Sequence, residues 1–120
     1  MVDLVNGERS KQGLAPLIVD LELSRVARLK SQDMVEKNYF SHLSPTYGSP
    51  FEMMDKFAIS YSYAGENIAC KYTVAKAHEA LMGSSGYRAN MLSEDYTQIG
   101  IGIVDGGPCG KMLTQQFVGR

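Results

Sequence analysis

The sequence has no tryptophan, and only two cysteines, two histidines and four prolines among its 120 residues. The cysteines, Cys70 and Cys109, stand in no C-x-x-C motif or Cys/His cluster, which argues against a metal held by the pair. Two readings of them stay open. A disulfide would close a loop of about 40 residues and contribute about 3–4 kcal/mol in the chain-entropy model; alternatively they are two unrelated small core residues. Charge of one sign is also lacking: 12 basic and 13 acidic side chains leave a net charge of −1. That balance removes the electrostatic case for nucleic acid or an anionic membrane as partner. No apolar run approaches the roughly 20 residues that span a bilayer. Residues 2–9 lack the basic start and continuous apolar segment of a signal peptide, so the chain reads either as cytosolic or as a domain of a longer exported precursor. Repeats, low-complexity tracts and long linkers are absent, so one domain is expected over residues 1–120, long enough to bury a core without cross-links.

What is present alternates between helical and strand patterns. Val2 to about Gly13 reads as a helix, stopped by Gly13 and Pro16. Asp20 is placed to cap a second helix reaching about Lys37, with Leu23, Val26, Ala27 and Met34 as its apolar stripe and Arg25, Arg28, Asp33 and Glu36 mostly opposite. Residues 44–50, rich in Ser, Pro and Gly, read as a loop, and Phe51 to Phe57 as a short helix. Ile59 to Ala64 alternates large and small residues like a strand that ends by delivering Gly65 and Glu66. Thr73 begins a helix with Val74, Ala77, His78, Leu81 and Met82 on one face. Residues 83–86 break it, and Tyr87 to Leu92 makes a further turn. Isoleucine and glycine alternate over Tyr96 to Val104, a turn follows at residues 105–108, and Lys111 to Val118 returns as the second arm of a hairpin. Glycines on one strand face let another element approach closely. The pattern predicts an α+β fold, with helices flanking a small antiparallel sheet.

Candidate chemistry centres on His42, in a Ser/Pro loop just after the apolar anchors Tyr39 and Phe40, and on Glu66 beside Gly65. A histidine in such a place serves as ligand, general base or hydrogen-bonding core residue. No G-x-S-x-G nucleophile elbow exists, and nothing near Cys70 marks an activated thiolate to pair with His42. Tyr47, Tyr61, Tyr63 and Tyr87 fall in segments around this centre and would form an aromatic, partly polar rim.

Taken in order, Ser41-His42-Leu43-Ser44-Pro45, Gly65-Glu66-Asn67-Ile68-Ala69, residues 85–92 and Gln98-Ile99-Gly100-Ile101-Gly102-Ile103 resemble the CAP superfamily, in particular its bacterial SCP-like extracellular branch. The resemblance runs from residues 4–9 to the last strand. It implies an α-β-α sandwich and a cleft in which two histidines and acidic residues face one another and can hold a divalent metal. His42 matches the first histidine and Glu66 the glutamate of the G-E-N motif. The second histidine, from a pattern similar to G-H-R-x-N, is here Tyr87, followed by Arg88. A phenol, with its ordinary pKa of about 10, is a poor zinc ligand at neutral pH. The second acidic position of eukaryotic members aligns with Ser84, and the usual tryptophan with Leu81.

No cofactor is therefore expected. A zinc or magnesium ion would have to be built on His42, with His78 as substitute for the missing ligand; the plainer reading of His78 is a core histidine. Arg88 reads as a structural donor. The resemblance favours an exported, extracellular or cell-envelope domain. Its expected role is binding or interaction through a cleft of His42, Glu66 and Tyr87, with a peptide, glycan or lipid as ligand and with neither nucleic acid nor a membrane span. The alternative is a metal-assisted or acid–base hydrolase of peptide or cell-wall substrates, in which Glu66 orients His42 as general base.

Overall fold

The computed structural model describes residues 1–120. Helix α1 spans Val2–Lys11; after Gly13, whose φ of +71° suits a residue without a side chain, the chain reaches the two-residue strand β1 (Ile18–Val19). The Asp20 side chain accepts the Leu23 N–H and so caps α2 (Leu21–Glu36), as its spacing predicts. Ser49 and Glu52 form a reciprocal capping box with Pro50 at the start of α3 (Pro50–Lys56). Thr73 caps α4 (Val74–Met82), and α5 (Ser85–Met91) follows almost at once. The remaining strands are β2 (Tyr63–Lys71), β3 (Gln98–Asp105) and β4 (Lys111–Gly119).

The sheet order is β1-β3-β4-β2. β3 pairs antiparallel with β4, and β4 with β2. β1, which the sequence pattern does not reveal, adds a short parallel pair to β3, so the sheet is not purely antiparallel. One face packs on α2 and α3 through Leu23, Val26, Met53, Met54 and Val118, extended by Met34, Ile68 and Met112. The other face packs on α1, α4 and α5 through Val5, Ala77, Leu81, Met91, Leu113 and Phe117. This is an α-β-α sandwich of the α+β class.

The Ile/Gly alternation of β3 has the predicted effect. A methyl group at Gly100 or Gly102 would run into the α2 backbone at Leu23 and at Ala27–Arg28, so these glycines bring the helix axis unusually close to the sheet.

Three local expectations are corrected. The strand lies not at residues 59–64 but at Tyr63–Lys71, so Glu66 is inside β2 rather than at its end. Asn67, despite its turn propensity, is held there by side-chain bonds to Gln115 and to the Tyr87 carbonyl. Gly86 lies within α5 instead of breaking the chain. Asp33, assigned to the polar side of α2, is buried. Its carboxylate accepts hydroxyl hydrogen bonds from Tyr39, Ser44 and Thr46, which offset the cost of removing it from water.

Candidate functional site

Strand alternation puts Glu66 and Ile68 on the α2 face of β2. The Glu66 side chain is 1% exposed, whereas that of His42, arriving on the loop after α2, is 43% exposed. Glu66 Oε1 lies 2.9 Å from His42 Nδ1, and Gln116 Nε2, directly across the ladder, donates to Glu66 Oε2 at 2.9 Å. On the other side of the imidazole, Nε2 lies 3.2 Å from the Tyr87 hydroxyl, the two rings meeting edge to face. In the neutral ring the assignments follow: an ionised carboxylate can only accept, so Nδ1 carries the proton, and Nε2 accepts the Tyr87 O–H. Burial, with Glu66 adding to it, raises the Tyr87 pKa and keeps the phenol protonated and able to donate.

The His42 loop is itself pinned from below. Lys30 of α2 is fully buried, donates to the His42 carbonyl at 3.1 Å and lies 5.0 Å from the Tyr39 ring centroid. Desolvation lowers its pKa, while Glu66 and Asp33 pull the other way. For Asp33 desolvation acts upward, but the Ser44, Thr46 and Tyr39 hydroxyls and then Lys30 outweigh it and leave the carboxyl below its ordinary value. Behind Glu66, Asn90 donates to Asn67 Oδ1 and to the Glu66 carbonyl, tying α5, and with it Tyr87, to β2.

His42, Glu66 and Tyr87 thus converge. The other candidates lie elsewhere. His78 faces α1, with Nε2 3.9 Å from Glu8 and a buried Nδ1 without a partner, so it cannot complete a ligand set at His42. Arg88 is exposed and its guanidinium makes no hydrogen bond, contrary to the structural-donor expectation. Tyr47 and Tyr61 pack against α3, and Tyr63 is exposed at the start of β2, so of the four rim tyrosines Tyr87 alone touches His42. Cys70 and Cys109 form a disulfide between the end of β2 and the β3–β4 turn, with Cα atoms 5.4 Å apart, which decides between the two readings and removes any thiol.

Lys30, Asp33, Asn67, Asn90 and Gln116 escape the sequence reading. For Lys30 a signal existed: it falls on the stripe of Leu23, Val26, Ala27 and Met34, where a lysine is out of place unless it has a buried partner. The largest cavity, about 600 Å³ between residues 12–16 and 94–97, includes none of the three central residues. A smaller apolar one of about 230 Å³ does reach Tyr87.

The model of the cysteine-rich secretory protein family, CAP, matches residues 2–117. The chain belongs to the CAP family. Over its full length it is 54% identical to the uncharacterized protein YkwD and 40% identical to the uncharacterized membrane protein YlbC, both of Bacillus subtilis, spanning 46% and 34% of those proteins. The chain therefore spans less than half of the curated relatives it matches. An extracellular SCP-domain protein of Bacillus anthracis superposes with a TM-score of 0.90 at 35% identity, over 99% of this chain and 39% of that one. An outer surface protein of Borrelia burgdorferi superposes equally well, at 0.90, over 99% of this chain and 89% of that one. At 18% identity it supports the fold alone.

The CAP resemblance brings with it a divalent metal, and the donors of this chain do not fit one. Catalytic zinc uses three protein ligands, and no group of three His, Cys, Asp or Glu side chains converges anywhere in the chain. Both His42 nitrogens already have partners, one of them a phenol that holds its proton.

Proposed function

We propose that residues 1–120 form an extracytoplasmic binding domain whose recognition centre is His42, held between Glu66 and Tyr87. The observation that carries this reading is the closed hydrogen-bond chain: a buried carboxylate and a protonated phenol take both imidazole nitrogens while the ring edge stays open to solvent. Such a centre is preorganised for recognition but offers neither an activated nucleophile nor an open metal position. Two observations support placement outside the cytoplasm: the 35% identical SCP-domain protein of Bacillus anthracis is extracellular, and the Cys70–Cys109 bridge suits an oxidising compartment. The ligand class is a peptide, glycan or lipid of the cell exterior.

The test is a binding screen of blocked peptides, peptidoglycan fragments and lipid vesicles against wild type, His42→Ala and Glu66→Gln. Saturable binding of one class, weakened at least about tenfold by His42→Ala, supports the reading. Binding indifferent to both substitutions removes the cleft from the account. A hydrolase is the second reading, favoured by the 2.9 Å Glu66–His42 contact that would orient a general base. Turnover of peptide or peptidoglycan that disappears in Glu66→Gln would establish it.

A further inference from the structure

We infer that the outer edge of β2 binds an extended peptide by strand addition, beside Tyr87. The inference rests on the binding-domain reading above and names the ligand class for its cleft. The ladder pattern identifies the free edge. The Ile18 and Asp20 N–H groups donate to the Thr97 and Ile99 carbonyls, so the odd residues of β3 face β1 and its even residues face β4. Carried across β4, this alternation turns the even residues of β2 away from the sheet. Asn90 confirms it by reaching the Glu66 carbonyl from outside.

Further along the same edge, no other element hydrogen-bonds the N–H or C=O of Ile68 or Cys70. Four main-chain groups are thus left without a protein partner, the open edge that strand addition uses. They open into the 230 Å³ cavity walled by Phe40, Ala80, Leu81, Ser84 and Tyr87. Ile68 is only 3% exposed, so its edge is reached through this cavity.

An extended main chain presents donors and acceptors at the spacing of residues 68 and 70, about 7 Å apart. The apolar walls then take one side chain of that peptide, and Lys71 at the cavity mouth favours an acidic neighbour. An acyl chain would leave the four groups unsatisfied, and sugar hydroxyls would meet them without the fixed register of a strand. Because Tyr87 lines both this cavity and the His42 centre, and Asn90 already occupies the Glu66 carbonyl, the added strand ends against Tyr87, beside the proposed recognition site.

The experiment is an amide NMR titration of the intact domain with acetyl-Val-Leu-Val-Glu-amide and with its main-chain N-methylated counterpart. The expected result is binding on the order of 1 mM or tighter, with the largest shifts and new exchange protection at the Ile68 and Cys70 amides. Binding should weaken at least about tenfold for the N-methylated peptide, and likewise for Ala80→Trp, which fills the cavity from an exposed helix position. Equal binding of the N-methylated peptide overturns the inference, as does the absence of any shift. Shifts confined to His42 and Tyr87 also overturn strand addition, while leaving the recognition centre standing.

Discussion

At the scale of single residues, the account turns on how two nitrogens and one carboxylate are satisfied. In Glu66→Gln the charge-assisted bonds to His42 and Gln116 become neutral, and one of these partners must turn its amide or change tautomer to accept from the new NH2 group. Urea unfolding should show a loss of about 1–3 kcal/mol. Tyr87→Phe should cost less, about 0.5–1 kcal/mol, because the exposed imidazole can replace the lost O–H with water. A larger loss for Tyr87→Phe than for Glu66→Gln would reverse the assigned order of importance. His78 gives a pH prediction. Burial lowers its pKa, and Glu8 only partly restores it, so the folded state prefers the neutral ring. The stability this confers is present above the ordinary imidazole value of about 6.5 and is lost as pH falls through the lowered folded value. Wild type should therefore lose stability faster than His78→Phe between pH 7.5 and 5; parallel curves would refute the burial argument.

Among the elements, the α2–β3 contact is the most constrained. Gly100→Ala and Gly102→Ala each put a methyl into the α2 backbone, and thermal melts should show losses of about 1–3 kcal/mol or failure to fold. Wild-type stability in either variant would mean that the helix can stand off from the sheet. This contact was legible in the sequence because alternation and small side chains report directly on packing distance. Helices α2 and α4 were legible for a similar reason: Asp20 and Thr73 cap them and the apolar stripe has helical spacing. Local pattern puts β2 too early because Gly65 and Asn67 carry turn propensity, and the bonds that override it come from Asn90 and Gln115, distant in sequence. Of the site, His42, Glu66 and Tyr87 could be named from motif positions. Lys30, Asp33 and Gln116 owe their roles to cross-element pairing, which no local pattern encodes. Asp33 in particular looks like a surface residue until Tyr39, Ser44 and Thr46 fold over it.

For the molecule as a whole, the disulfide ties the β2 edge to the β3–β4 turn across a separation of 39 residues. Reduction, or Cys109→Ser, should lower stability by about 3–4 kcal/mol without changing the helix or sheet content seen by circular dichroism. The sandwich keeps the CAP frame, and the proposed reading is that Tyr87, at the position the resemblance gives to a second histidine, replaces a ligand set with a hydrogen-bond chain. Zinc titration by calorimetry, on wild type and on Tyr87→His, tests that claim most directly. The account predicts no binding heat for wild type and a site gained in Tyr87→His. One equivalent of zinc bound by wild type, and lost in His42→Ala, would contradict it.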